Sequence, residues 1–136
     1  MTVADSVKAA LSFRDPKYFL FFTGTANGRD AARAFLARLK ERTLDRDASI
    51  SVTAFRNQLA AIHEWGTQEP ADLSAVRQPV LVANGDHDRM VPSSNSADLE
   101  RRLPNATLTL YPDAGHGGVF QNHAQFVDET LTFLGR

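Results

Sequence analysis

Two short segments in the second half of the chain constrain its fold more than anything else in it. One runs Pro79-Val80-Leu81-Val82-Ala83-Asn84-Gly85-Asp86-His87-Asp88-Arg89-Met90-Val91-Pro92, the other Tyr111-Pro112-Asp113-Ala114-Gly115-His116-Gly117-Gly118. In each, an apolar run breaks at a glycine and delivers an acid or a histidine just beyond it. That is how an open parallel sheet presents side chains at the carboxyl ends of its strands, where such sheets bind ligands. Val80–Ala83 has no polar alternation, which suits a parallel strand covered on both faces. Ala106–Tyr111 alternates more, with Thr107 and Thr109 on one face, as near a sheet edge.

Between these strands the pattern predicts a helix, with Asn95 as its cap, Asp98 in the capping-box position, and Ala97, Leu99 and Leu103 buried until Pro104 ends it. A last helix over about 122–134 should bury Phe126, Val127, Thr130, Phe133 and Leu134. Residues 79–136 therefore read as strand, helix, strand, helix, one parallel crossover unit with a terminal helix. Residues 1–70 read as helical. Asp15-Pro16 starts a helix into the aromatic run 18–22, whose rings cluster too densely for one stripe and should face another surface or a cavity. Ala31, Ala32, Phe35, Leu36 and Leu39 recur at helical spacing after the turn Asn27-Gly28. A further helix over 51–65 presents Val52, Phe55, Leu59 and Ile62, with Gly66 as its stop. Residues 71–78 read as a linker.

Composition narrows the partners. The chain has 136 residues, one ordinary domain, with net charge −1 and 43% hydrophobic residues. No basic stripe points to nucleic acid; Arg33, Arg38, Lys40 and Arg42 read as a solvated helix face. The absence of cysteine excludes disulfides and thiolate metal sites. The N-terminus lacks the basic and apolar regions of a signal peptide, and Tyr18–Phe22 is too short to cross a bilayer. A cytoplasmic protein with no membrane partner is the expectation.

Asp88 and His116 lie 28 positions apart, a gap filled by one helix, one strand and two loops, so neighbouring strand ends can bring them together. A carboxylate on one imidazole nitrogen fixes the tautomer and leaves the other to take a proton from a hydroxyl. Taken singly, each residue has a simpler reading, Asp88 as a turn residue and His116 as a loop histidine. Asp86, His87, Asp88, Asp113 and His116 are also competent metal ligands, but Asp86-His87-Asp88 lacks the glycine and glutamate of a calcium loop; no metal is expected. His63 reads as packing or capping and His123 as exposed.

The segment holding Gly85, Asp88, Val91 and Pro92, with Gly115-His116 after it, resembles the α/β-hydrolase family. In that family the triad acid sits in G-x-x-D-x-x-V-P and the triad histidine follows a glycine after the last strand. Of the acid, proline and phenylalanine the family favours downstream, this chain has Gln121, His123 and Phe126, so only the last agrees. The resemblance implies an α/β fold: the C-terminal part of a hydrolase sheet, two parallel strands with crossover and terminal helices, preceded by a helical cap over 1–70. It implies Asp88 and His116 as catalytic residues, Phe19, Phe21, Phe22 and Trp65 as substrate-binding residues of the cap, a small apolar substrate and no cofactor. None of the eight serines (Ser6, Ser12, Ser49, Ser51, Ser74, Ser93, Ser94, Ser96) stands in the family's G-x-S-x-G elbow. Ser93 and Ser94 read as serving a helix N-terminus. The expectation is thus a hydrolase part lacking its nucleophile and inactive alone. Strand 80–83 would pair with a separate nucleophile-bearing half or with itself. The alternative is a non-catalytic truncated relative that binds a small molecule or a protein.

Overall fold

The computed structural model describes residues 15–135; the expectations that fall on residues 1–14, including those for Ser6 and Ser12, lie outside them. The chain divides into two compact units. Arg42–Asp72 is one; the segment up to Glu41 and the stretch from Leu73 onward together form the other. The expected 1–70 region is therefore split at residue 41, and its first part belongs to the unit that holds the strands.

In the larger unit, β1 (Val80–Gly85) pairs parallel with β2 (Ala106–Tyr111), in register from Val80 opposite Ala106 to Gly85 opposite Tyr111. β1 runs two residues past the expected apolar run, because Asn84 and Gly85 still find partners in Leu110 and Tyr111. Only Val82 and Gly85 of β1 are buried, so the strand is less covered than its composition implies. Among the described residues its second edge pairs with no strand.

The helix that connects the strands spans Ser93–Arg102, with Pro92 in the cap position and no side chain capping it. Asn95 lies inside it, and Asp98 turns to Arg101 and Arg102 instead of to a capping box. Its buried residue is Ser96; Ala97 and Leu99 are exposed and Leu103 is half-buried. The chain ends in a short helix, Gly118–Gln121, and the helix His123–Leu134. Phe126, Thr130 and Phe133 of that last helix are half-buried, whereas Val127 and Leu134 are exposed.

Two helices precede β1 in the same unit: α1 (Lys17–Leu20) and α2 (Ala26–Glu41). α2 starts earlier than its apolar spacing predicts. The Thr25 hydroxyl accepts the N–H of Gly28 at 3.0 Å, so Thr25 is the cap and Asn27-Gly28 forms the first turn. Tyr18, Phe22, Ala32 and Phe35 form a buried cluster, with Phe19, Phe21, Ala31 and Leu36 packed against it.

The smaller unit contains α3 (Val52–Gly66). Ser51 caps it, its hydroxyl accepting the N–H of Ala54 at 3.1 Å. The helix ends on a right-handed Thr67 rather than on a left-handed glycine. None of its residues is buried, the apolar face of Val52, Phe55, Leu59 and Ile62 included. Among the described residues no helix is long and apolar enough to cross a membrane.

Candidate active site

The site is built where two strand ends are zipped together. β1 ends at Gly85, and a Cβ there would lie 2.2 Å from the carbonyl oxygen of Ala114 and 2.3 Å from that of Gly115. Only glycine lets the loops approach so closely. Beyond it, the N–H of Asp86 donates to the Tyr111 carbonyl at 3.0 Å and that of His87 to the Ala114 carbonyl at 2.9 Å. These two bonds carry the pairing past the strands and bring Asp88 level with His116.

Asp88 Oδ2 lies 2.9 Å from His116 Nδ1. Its other oxygen accepts the N–H groups of Met90 at 2.8 Å and Val91 at 3.0 Å. A carboxylate accepts and does not donate, so a neutral imidazole paired with it holds its proton on Nδ1 and leaves Nε2 as a proton acceptor. The Asp88 side chain is 1% exposed and the His116 side chain 33%. The acid is thus sealed while the base is reachable. Both residues line an open groove of about 290 Å³ along β1, with Val82, Val91, Leu99 and Val119 as apolar walls.

The expected substrate-binding aromatics have different fates. Phe21 meets the His116 ring edge-on, with centroids 5.2 Å apart and planes at 68°. Its carbonyl accepts the N–H of Gly117 at 2.7 Å. Phe22 is largely core, packed on Phe35 at 5.5 Å. Phe19 and Phe22 border a second cavity of about 320 Å³, together with Tyr18, Arg29, His87 and Arg89. Trp65 belongs to the smaller unit, near the end of α3, and is 76% exposed.

The five candidate metal ligands separate into distinct settings. Asp88 takes His116, and Asp86 takes His87, with Nδ1 and Oδ1 2.6 Å apart. Burial pushes the Asp86 carboxyl up, but the bonds from His87 and from the Ala114 and Asp113 backbone outweigh it and hold the group below its usual value. The Asp86 bond in turn raises the His87 imidazole above its usual value. His63 and His123 are exposed. Among the described residues, no three acidic, histidine or cysteine side chains are grouped to hold a metal ion.

Asp113 has a role that the sequence alone does not reveal. It adopts a left-handed backbone at φ 52°. Its carboxylate accepts from the Thr23 hydroxyl at 2.8 Å, the Thr25 hydroxyl at 2.8 and 3.1 Å, and the Asn27 amide at 3.0 Å. These donors, Asn27 foremost, hold its carboxyl below the usual range. The latch fastens the segment carrying Phe21 to the loop carrying His116. Pro112-Asp113 signals a turn, but nothing in Thr23, Thr25 or Asn27 announces a partner some ninety positions away.

A family model described as alpha/beta hydrolase fold matches residues 6–123. An alpha/beta hydrolase fold protein from Chitinophaga pinensis superimposes with a TM-score of 0.86 at 38% identity, over 96% of this chain and 49% of that one. A protein assigned as the carbamate hydrolase RutD of Caulobacter sp. (strain K31) is 39% identical over 84 residues, 62% of this chain and 31% of its own length. The pimeloyl-[acyl-carrier protein] methyl ester esterase of Nitrosomonas europaea is 37% identical over 57 residues, 42% of this chain and 23% of its own. The chain thus matches about half, or less, of the length of these relatives.

Proposed function

The chain belongs to the α/β-hydrolase family, and we propose that it carries the acid and base of a Ser-His-Asp hydrolase acting on a small apolar ester or related compound. The observation that carries this reading is the 2.9 Å bond between a sealed Asp88 and a partly open His116. In the proposed reaction Asp88 orients the imidazole and stabilises it once protonated. His116 Nε2 takes the proton of a serine hydroxyl and then returns it to the leaving group. The 136 residues contain no G-x-S-x-G serine, so the nucleophile and the oxyanion donors come from outside them, on a segment paired with the open edge of β1. Among the relatives, names that specify a carbamate and a methyl ester support an acyl-type substrate. Phe21, beside the imidazole, and Phe19 and Phe22, at the adjoining cavity, are the aromatic walls of the proposed pocket.

The test is turnover of p-nitrophenyl acetate and butyrate by this chain assembled with a nucleophile-bearing hydrolase half. His116→Ala should lower kcat/KM by about 10³-fold or more with folding retained. Undiminished turnover would remove His116 from the mechanism. A different reading, a binding module without catalysis, predicts that His116→Ala does nothing while Phe19→Ala or Phe21→Ala weakens ligand binding.

A further inference from the structure

We propose that Ser93 and Asn84 are positioning residues for Asp88, clasping the turn 85–91 so that its carboxylate meets His116; the inference rests on reading Asp88 and His116 as an acid–base pair. Ser93 is the first residue of its helix and does not cap it. Its hydroxyl instead donates to the Gly85 carbonyl at 2.6 Å and accepts the N–H of Asp88 at 3.3 Å. One side chain thus bridges the end of β1 and the acid. Asn84 grips the same turn at both ends. Its Oδ1 accepts the N–H of Gly85 at 2.8 Å, and its Nδ2 donates to the Val91 carbonyl at 3.3 Å and to the hydroxyl of buried Ser96 at 3.1 Å.

This clasp supplies what the carboxylate's own bonds do not. Asp88 Oδ1 is held by Met90 and Val91, which lie in the same turn. Those bonds orient the carboxylate within the turn, and the backbone bonds of Asp86 and His87 tie the start of the turn to the histidine loop, but neither set holds its far side, from Asp88 to Val91, against that loop. A shift of about 1 Å would take a 2.9 Å contact beyond hydrogen-bonding distance. Ser93 and Asn84 tie the turn to the strand and to the following helix, the rigid elements on which a precise site must rest. They act on the imidazole only through Asp88.

The readout is the His116 Nδ1–H proton in ¹⁵N-labelled protein, followed by exchange with solvent. The wild type should show it, and Asp88→Ala should abolish it. Ser93→Ala and Asn84→Ala should each speed its exchange about tenfold, the effect of one lost hydrogen bond on a local opening equilibrium. Ser93→Thr, which keeps the hydroxyl, should restore slow exchange. The amide spectrum of both strands should stay native throughout. Unchanged exchange in Ser93→Ala and Asn84→Ala, with Asp88→Ala still abolishing the signal, would overturn the clasp alone. Loss of the native spectrum in both would also overturn it, since the two residues would then serve the fold rather than the pair. A signal indifferent to Asp88→Ala would refute the acid–base pairing itself, and the clasp with it.

Discussion

Helices α2 and α3 have nearly the same length, 16 and 15 residues, and each carries an apolar face at helical spacing. One buries most of that face, Leu39 at its end excepted, and the other does not. α2 buries Ala32 completely and leaves Phe35 8% exposed, whereas on α3 Leu59 is 50% and Ile62 58% exposed. Periodicity alone does not separate them. What separates them is what each helix start is tied to and what its face meets. The cap of α2, Thr25, is itself held by Asp113, and Gly28 sits so tightly on Thr23 that a Cβ would come within 2.1 Å of its hydroxyl. Among the described residues the hydroxyl of Ser51, the cap of α3, is bonded only to its own helix. An apolar stripe states that a helix wants a neighbour; long-range polar contacts determine whether it has one.

The sharpest way to break this comparison is at Phe35. Its ring contacts Phe22, Phe21 and Phe120 at centroid distances of 5.5, 5.9 and 5.0 Å. Phe35→Ala opens a cavity in that cluster and should cost about 3–5 kcal/mol, read from urea or thermal unfolding. A cost below about 1 kcal/mol would mean that the α2 face is no better packed in solution than that of α3.

The same contrast explains what was legible in the sequence. The strands, the helix between them and the approach of Asp88 to His116 follow from signals within a few residues, namely apolar runs, breaking glycines and a gap that one crossover fills. The features that were misread depend on distant partners. Asn95 looks like a cap, but the cap position falls three residues earlier, on Pro92. Phe22 lines a cavity, and nothing near it in the sequence announces its packing on Phe35. Asp113 looks like a spare acid until Thr23, Thr25 and Asn27 reach it. Short polar side chains bond whatever the fold brings near them, and that information lies outside any local window.

Asp113 sharpens the comparison through pH. Its carboxyl is held below the ordinary value of 3.8 by the Asn27, Thr23 and Thr25 donors. A lowered folded value means that the latch contributes its full stability above the unfolded value and loses it as pH falls through the folded one. Unfolding by urea at stepped pH should therefore show wild type and Asp113→Asn furthest apart above pH 3.8, converging in stronger acid. Asparagine tolerates the left-handed backbone, so the change isolates the charge. Asp86, Asp98 and Glu129 are lowered as well, so the variant should keep part of the acid slope. A gap independent of pH would show that the carboxylate charge plays no part in holding α2.

The smallest effects should fall on α3. Ser51→Ala removes its cap bond and should cost about 1 kcal/mol of local helix stability, seen as faster amide exchange in the first turn. Leu59→Ala deletes a side chain that is half in water already, and alanine is the better helix former. The lost apolar contact and the gained propensity nearly cancel, so the change should stay within about 0.5 kcal/mol. That near-zero value separates a helix held by its own cap from one held by its neighbours. If Leu59→Ala instead cost about 2 kcal/mol or more, the α3 face would have to be covered in solution, since only burial gives a leucine that weight. The difference between α2 and α3 would then lie in when each helix acquires its neighbour, not in whether it has one.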